Sequence, residues 1–301
     1  MKEKEFINII KTTLKSDYIG DDCAYLRDLE IVVSQDSLVE DVHFKREFMT
    51  PFQLGYKSVM VNISDICASG AKPAYLTISL SLPNNIEGDF VKEFYEGAKS
   101  ACGNGIKIVG GDITSADKIY ISVCAIGSAK GRNISSRKNA KVGYKVVVSG
   151  LHGSSCTGLK LLLNGKKEPQ KFIKAHLEPQ AQIEFGQKAG TNILKPYAMM
   201  DTSDGLMDAL STIANESGVL LEIDFDKIPH DKDIEQFDKW QDIVLFGGED
   251  YGLVAVVPQE FEEGTQIGVA KNGLGVDVKM NDKTVHYSKQ DVEDKIFNHF
   301  N

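Results

Sequence analysis

The stretch Thr50–Pro83 reads TPFQLGYKSVMVNISDICASGAKPAYLTISLSLP, and its hydrophobic period changes partway along. Thr50 before Pro51 has the form of an N-cap with proline at the first helical position, where no N–H is needed. A helix then runs to Gly70, which suits the left-handed residue just past a helix end. From Ala74 the pattern alternates: Leu76, Ile78, Leu80 and Leu82 face one way, Thr77, Ser79 and Ser81 the other. That alternation predicts a half-buried strand of an antiparallel sheet, because successive side chains leave a strand on opposite faces.

Upstream, Phe6, Ile9, Ile10 and Leu14 fall on one helical face, and Leu29–Phe44 begins as a strand that breaks into a polar loop at Ser34. Downstream come a helix over Ile86–Cys102, a strand at Ile106–Val109 leading to GGDIT, and a strand over Lys118–Gly127. The polar, basic run AKGRNISSRKNAKV (129–142) marks a domain boundary, dividing the chain into residues 1–135 and 136–301. The second half opens with the strand YKVVVSG. Helices follow near Thr157–Asn164 and Gln180–Asn192, then the short strand AMM running into DTSDG (201–205). A helix ending at Gly218 and a strand VLLEI come next. DIVLF (242–246) is read as a strand entering GGEDYGLVAVVP. Strands and helices mix in both halves without a GxGxxG turn, so the expected class is α+β in two domains rather than a doubly wound nucleotide fold.

Composition excludes several roles. At 42% hydrophobic and 26% charged, the 301 residues resemble an ordinary globular chain. No apolar segment is long enough to span a bilayer and no leader pattern is present. The five cysteines are scattered with no CxxC pair, as expected of a reducing cytoplasm without a zinc or disulfide framework. With 34 basic against 43 acidic residues, the net charge of −9 speaks against a nucleic-acid backbone as partner. A phosphorylated small molecule remains compatible, provided cations or local N–H groups bridge acid to phosphate.

The chemistry-bearing residues are acids beside glycines. Asp22 in GDD, Asp36, Asp65, Asp112 in GGD and Asp201 stand at or near the ends of apolar segments, with Asp21 and Asp204 close by. Hard divalent cations take carboxylate oxygens in such sets, whereas any one Gly-Asp pair is also ordinary turn chemistry. Asp65 lies inside the expected helix with Asn62 and Ser69 on its face, which reads equally as a solvated stripe or a ligand face. GLHGSSCTGLK (150–160) precedes a helix, and Ser154 or Ser155 would serve as its cap. No nucleophile elbow and no Walker A sequence is present.

Taken in order, GDDCAYL, SQDSLVEDVHF, GYKSVMVNISDICASGAKPAYLTISLSLP, IVGGDIT, MDTSDGL and FGGEDYGLVAVVP resemble the thiamine-monophosphate kinase family. The likeness spans nearly the whole chain. The wider superfamily, which includes aminoimidazole ribonucleotide synthetase and selenophosphate synthetase, shares the glycine/aspartate logic but matches VEDVHF and GGEDY less closely. The resemblance implies a homodimer built through an N-terminal mixed or antiparallel sheet that forms a barrel across the two-fold axis, with a C-terminal α+β sandwich. It implies direct, Mg²⁺-assisted transfer of the γ-phosphoryl of ATP to thiamine monophosphate, with no protein nucleophile. By motif position, Asp22, Ser34, Asp36, Asp65, Asp112, Asp201 and Asp204 would ligate metal. Gly111, Asp112, Arg137 and Ser203 would touch ATP, and His43, Glu249 and Phe297 the thiamine substrate. The alternatives are another ATP-using member of the superfamily, with synthetase or dehydratase-type activation and Cys23 as the thiol near the start, or a non-catalytic dimeric nucleotide-binding paralogue. The intact acid series argues against the latter, since clustered like charge is costly to keep without use.

Overall fold

A computed structural model describes residues 3–297. After helix α1 (Glu3–Leu14), the first half carries strands β1 (Ala24–Leu26) and β2 (Ile31–Val39), helix α2 (Pro51–Ala68) and strand β3 (Lys72–Leu82). Helix α3 (Gly88–Cys102) and strands β4 (Lys107–Ser115) and β5 (Tyr120–Ser128) complete it. The five strands form one mixed sheet in the order β1-β2-β5-β3-β4, antiparallel except where β3 meets β4. The expectations around Thr50–Pro83 hold except that the sheet is mixed, β3 being antiparallel to β5 and parallel to β4. Thr50 and Gln53 exchange capping bonds at 3.2 and 3.1 Å, and Gly70 takes φ 80°. Leu76, Ile78, Leu80 and Leu82 are buried.

In the second half, β6 (Lys145–Ser149) is followed by α4 (Ser154–Leu163), α5 (Gln170–Leu177), α6 (Ile183–Asn192), β7 (Ala198–Asp201) and α7 (Leu206–Ser217). Then come β8 (Leu220–Asp224), α8 (Trp240–Phe246), β9 (Leu253–Val257), β10 (Thr265–Lys271), β11 (Gly275–Met280), β12 (Lys283–Tyr287) and α9 (Lys289–Glu293). Their strands make a seven-stranded sheet in the order β12-β11-β8-β10-β6-β9-β7. The mixed α+β class is therefore the observed one. No helix among the described residues is long and apolar enough to cross a membrane.

Helix α2 joins the two halves. It packs on β2, β3 and β5 on one side and meets β7, α5 and α6 on the other. A helix in that position must be buried nearly all round, and Leu54 through Ala68 are, apart from Tyr56 and Asp65. Its close crossing with α3 depends on two small residues. A Cβ on Gly55 would lie 1.9 Å from the Phe94 carbonyl oxygen, and one on Gly97 1.9 Å from that of Phe52.

Several expectations need correction. The polar loop at Ser34 does not exist: β2 continues to Val39 and pairs with β5 residue by residue. The polar side chains reflect what the strand faces, and the backbone ladder is indifferent to them. DIVLF is helical, lying within α8 with Ile243, Val244 and Leu245 buried; a five-residue apolar run carries no period that separates helix from strand. The strand before GGDIT extends through it to Ser115 and runs parallel to β3, so that motif is strand rather than turn. The second-half helices begin at Ser154 and Ile183, and α5 and the three C-terminal strands had no counterpart in the sequence reading.

Candidate active site

Three acids meet where the halves join. Asp22 comes from the loop before β1, Asp65 from the last turns of α2 and Asp201 from the end of β7, and one carboxylate oxygen of each lies within 4.8 Å of the others. Hydroxyls and one cation hold them in place. Ser34 on β2 donates to Asp65 Oδ2, Ser64 Oγ to Asp201 Oδ2 at 2.6 Å, and Ser203 Oγ to Asp201 Oδ1 at 3.0 Å. Arg137 Nη2 donates to Asp22 Oδ1 at 2.8 Å, and its Nε is buried without a hydrogen-bond partner.

Burial, then the charges of Asp36, Asp201 and Asp22, hold the Asp65 carboxyl well above the usual carboxylate range, against the Ser34 hydroxyl. Asp201 is pushed up to about 7 by burial and by Asp22 and Asp36, against the Ser64 and Ser203 hydroxyls. Burial works against the Arg137 charge, but Asp22 overrides it and raises the guanidinium further. An all-oxygen donor set that holds anions together against their own repulsion suits a hard divalent cation such as Mg²⁺.

The GGEDYG turn answers why two carboxylates follow two glycines. They part ways. Glu249, at φ 64°, turns toward α2 and α5, where Lys57 Nζ lies 3.1 Å from its Oε1 and His176 Nδ1 3.3 Å from its Oε2. Burial would raise the Glu249 carboxyl, but the Lys57 charge foremost holds it below its ordinary range. Asp250 turns the other way and accepts from the backbone N–H of Gly153 at 2.5 Å and of Ser155 at 2.8 Å. The cap of α4 therefore comes from Asp250 rather than from Ser154 or Ser155: the N-cap residue is Gly153, with no side-chain cap of its own. Burial lifts Asp250 to about 7 despite those donors.

The expected residues are thus brought together only in part. Asp22, Asp65 and Asp201 converge, with Ser34 bonded to Asp65 and the charge of Asp36 felt by Asp65 and Asp201. Arg137 and Ser203 border this group. Asp204 is exposed in the loop after β7. His43 influences Glu249, and its Nδ1 accepts from the Val39 N–H at 3.0 Å, which leaves Nε2 to carry the ring proton. Phe297 is 62% exposed near the end of the described chain; two residues earlier, Lys295 Nζ sits 4.6 Å from the centre of the Phe246 ring, at the start of the glycine turn.

Asp112 stands apart. Asp36, Val123, Ile78 and Gly111 form one row across the sheet, and Ser37, Ser122, Ser79 and Asp112 the next. Neighbouring rows face opposite sides, so Asp112 lies on the other face from Asp36 and three strand spacings away, about 14 Å. Gly111 also has a structural reason to be glycine, since a Cβ there would lie 1.8 Å from the Ile78 carbonyl oxygen. The face of α2 that carries Asn62, Asp65 and Ser69 points inward: Asn62 and Ser69 are buried, so it is no solvated stripe. Sequence reasoning missed Lys57, Ser64 and His176. The signal for Lys57 was its place in LGYKSVMV, an apolar run with no polar face to carry it.

The chain is similar to known proteins over most of its length. Residues 20–129 match the N-terminal domain of AIR synthase related proteins, and residues 141–278 their C-terminal domain. The thiamine-monophosphate kinase of Aquifex aeolicus is 38% identical over 288 residues, covering 90% of this chain and 92% of the relative. That of Bacillus subtilis is 36% identical over 254 residues, covering 80% and 78%. The solved structure of AaThiL complexed with AMPPCP and TMP superimposes with a TM-score of 0.87 at 36% identity, covering 99% of this chain and 97% of that one.

Proposed function

This chain belongs to the thiamine-monophosphate kinase family, and from that premise we propose how its own residues perform the reaction. The enzyme uses ATP to phosphorylate thiamine monophosphate to thiamine diphosphate. The observation that carries the mechanism is the meeting of Asp22, Asp65 and Asp201, drawn from three separate elements, beside Arg137 and within one helix length of Glu249.

Asp22, Asp65 and Asp201, with Ser34 and Asp36 alongside and Asp204 at the rim, would hold Mg²⁺. Bound there, it neutralises polyphosphate charge so that two anions can approach. Arg137 and Ser203 steady the nucleotide phosphates, and Gly111, next to Asp112 on β4, would border them only from a second copy of the chain. Glu249 and His43 receive the organic, cationic end of thiamine monophosphate, with Phe297 as the aromatic candidate. An oxygen of the acceptor phosphate attacks the γ-phosphorus in line while the bond to the β,γ-bridging oxygen breaks, and ADP leaves. No protein nucleophile is needed, because phosphoryl transfer asks chiefly for alignment and charge compensation.

The reading includes a cytoplasmic homodimer and the division into residues 1–135 and 136–301. Strand β4 supports the dimer: it is a sheet edge nine residues long, with Val109 57% and Ile113 63% exposed. Long unpaired edges with exposed apolar side chains invite pairing with a second copy. Asp112, remote from the acids of its own chain, then joins a metal site only through that pairing across the N-terminal barrel. The test is an assay with ATP, Mg²⁺ and thiamine monophosphate, with thiamine diphosphate read by chromatography. Product that requires both ATP and Mg²⁺ supports the mechanism. Full activity in excess chelator overturns it.

A further inference from the structure

Lys57 is a cation where cations are seldom found. Its side chain has no exposure to solvent, and it sits on the first half of α2 among apolar neighbours. A buried ammonium is tolerated only when acceptors replace its water. Two do so: Nζ lies 3.1 Å from Glu249 Oε1 and 3.1 Å from the carbonyl oxygen of His176 on α5. Side-chain exposure rises in one direction through this network, from 0% at Lys57 through 5% at His176 to 28% at Glu249. The carboxylate is therefore the member that faces outward, with the cation behind it.

Its second partner is a weaker anchor. Burial and the nearby Lys57 charge keep His176 neutral, with its pKa pushed down to about 4, so the 3.3 Å contact to Glu249 is not an ion pair. His176 Nδ1 also lies 3.1 Å from Ser155 Oγ, and one ring proton cannot serve both. The Glu249 backbone, by contrast, is fixed: its N–H donates to the Ser203 carbonyl oxygen at 2.7 Å. What remains to be set is the side chain, and Lys57 is the charged group placed to set it.

We propose that Lys57 is a positioning residue for the kinase reaction. It holds the Glu249 carboxylate in one orientation, so that its remaining lone pairs face the cationic organic part of thiamine monophosphate, and does not itself touch the substrate. This rests on the assignment of Glu249 to that substrate. The effect belongs to recognition of the acceptor, since the acids that attend the phosphates occupy the other end of α2.

Steady-state kinetics of Lys57→Met, Glu249→Gln and the double variant test it. Glu249→Gln should raise KM for thiamine monophosphate about tenfold or more, with kcat and the KM for ATP changed less than about threefold. Lys57→Met should reproduce that split, and Lys57→Gln, which keeps an N–H donor, should recover part of the affinity. In the double variant the two effects should not multiply, because the residues act as one unit. If Glu249→Gln raises KM for thiamine monophosphate and Lys57→Met does not, the role of Lys57 is overturned while the site assignment stands. If Glu249→Gln itself leaves that KM unchanged, the assignment falls and the proposal with it. Parallel losses in both KM values and kcat for Lys57→Met would show a purely structural part and also overturn the proposal. Should Lys57→Met not fold, the double variant leaves neither charge buried and unpaired. Its KM should equal that of Glu249→Gln, and a further rise beyond about fivefold would count against the proposal.

Discussion

Replacing Asp201 by asparagine asks whether the acids are held together against their own repulsion. Burial and the neighbouring Asp22 and Asp36 lift this carboxyl from 3.8 to about 7. A carboxyl raised on folding binds its proton more tightly in the native state than in the unfolded chain. Between about pH 4 and 7 the native state therefore carries more protons, and stability falls as pH rises. For one group with these two values, the native state is disfavoured by roughly 2 kcal/mol at pH 5 and about 4 kcal/mol at pH 8. Asparagine does not titrate. In metal-free buffer the stability difference, variant minus parent, should grow by about 2 kcal/mol or more from pH 5 to pH 8, because losing the Asp201 charge also relieves Asp65. Constant offsets, such as an altered bond to Ser64, cancel from that change. So do His152 and His176, both pushed down to about 4, which destabilise parent and variant alike as pH falls below 6.5. Urea unfolding of both proteins with chelator present, at several pH values, provides the measurement. A difference that stays flat within about 0.5 kcal/mol, or shrinks as pH rises, refutes the reasoning.

Three further outcomes follow from the geometry. Asp112→Asn should leave unfolding free energy within about 0.5 kcal/mol of the parent, because the side chain is exposed on an edge strand, while turnover falls steeply; equal loss of both would deny it a role in the site. Ile113→Lys, on the same edge, should convert a dimer to a monomer in light scattering, and a persistent dimer would place the interface elsewhere. Asp250→Ala withdraws the acceptor from the Gly153 and Ser155 N–H groups and should destabilise the protein by about 1–3 kcal/mol in urea unfolding. A loss under about 0.5 kcal/mol would mean that the α4 terminus does not depend on it.

The elements best read from sequence are those whose period is long enough to declare itself. Helix α2 and strand β3 have both a cap and a clear alternation, and both appear where expected. DIVLF offered neither, and tertiary packing made it helical. Ser34–Ser37 look like loop residues because polarity marks loops on average, yet here a strand carries site residues along its length. The site shows the same division. Single motifs named Asp22, Asp65 and Asp201, but their meeting depends on α2 being clamped between the two sheets, a contact that no local pattern encodes. Lys57 and Ser64 escaped notice because a polar residue within a helix is usually taken for its wet side, and this helix has almost none.

That helix also sets a length. Lys57 and Asp65 belong to one rigid rod, eight residues apart, which at the rise of an α-helix is about 12 Å. One end carries the group that orients Glu249, the other an acid of the phosphate-side cluster. On the proposed assignments, the distance between the acceptor's organic head and its phosphate would be gauged by backbone hydrogen bonds rather than by loops. A molecule whose charged head and phosphate stand closer together would then satisfy one end of the gauge but not both, and α2 would select its substrate by span as well as by charge.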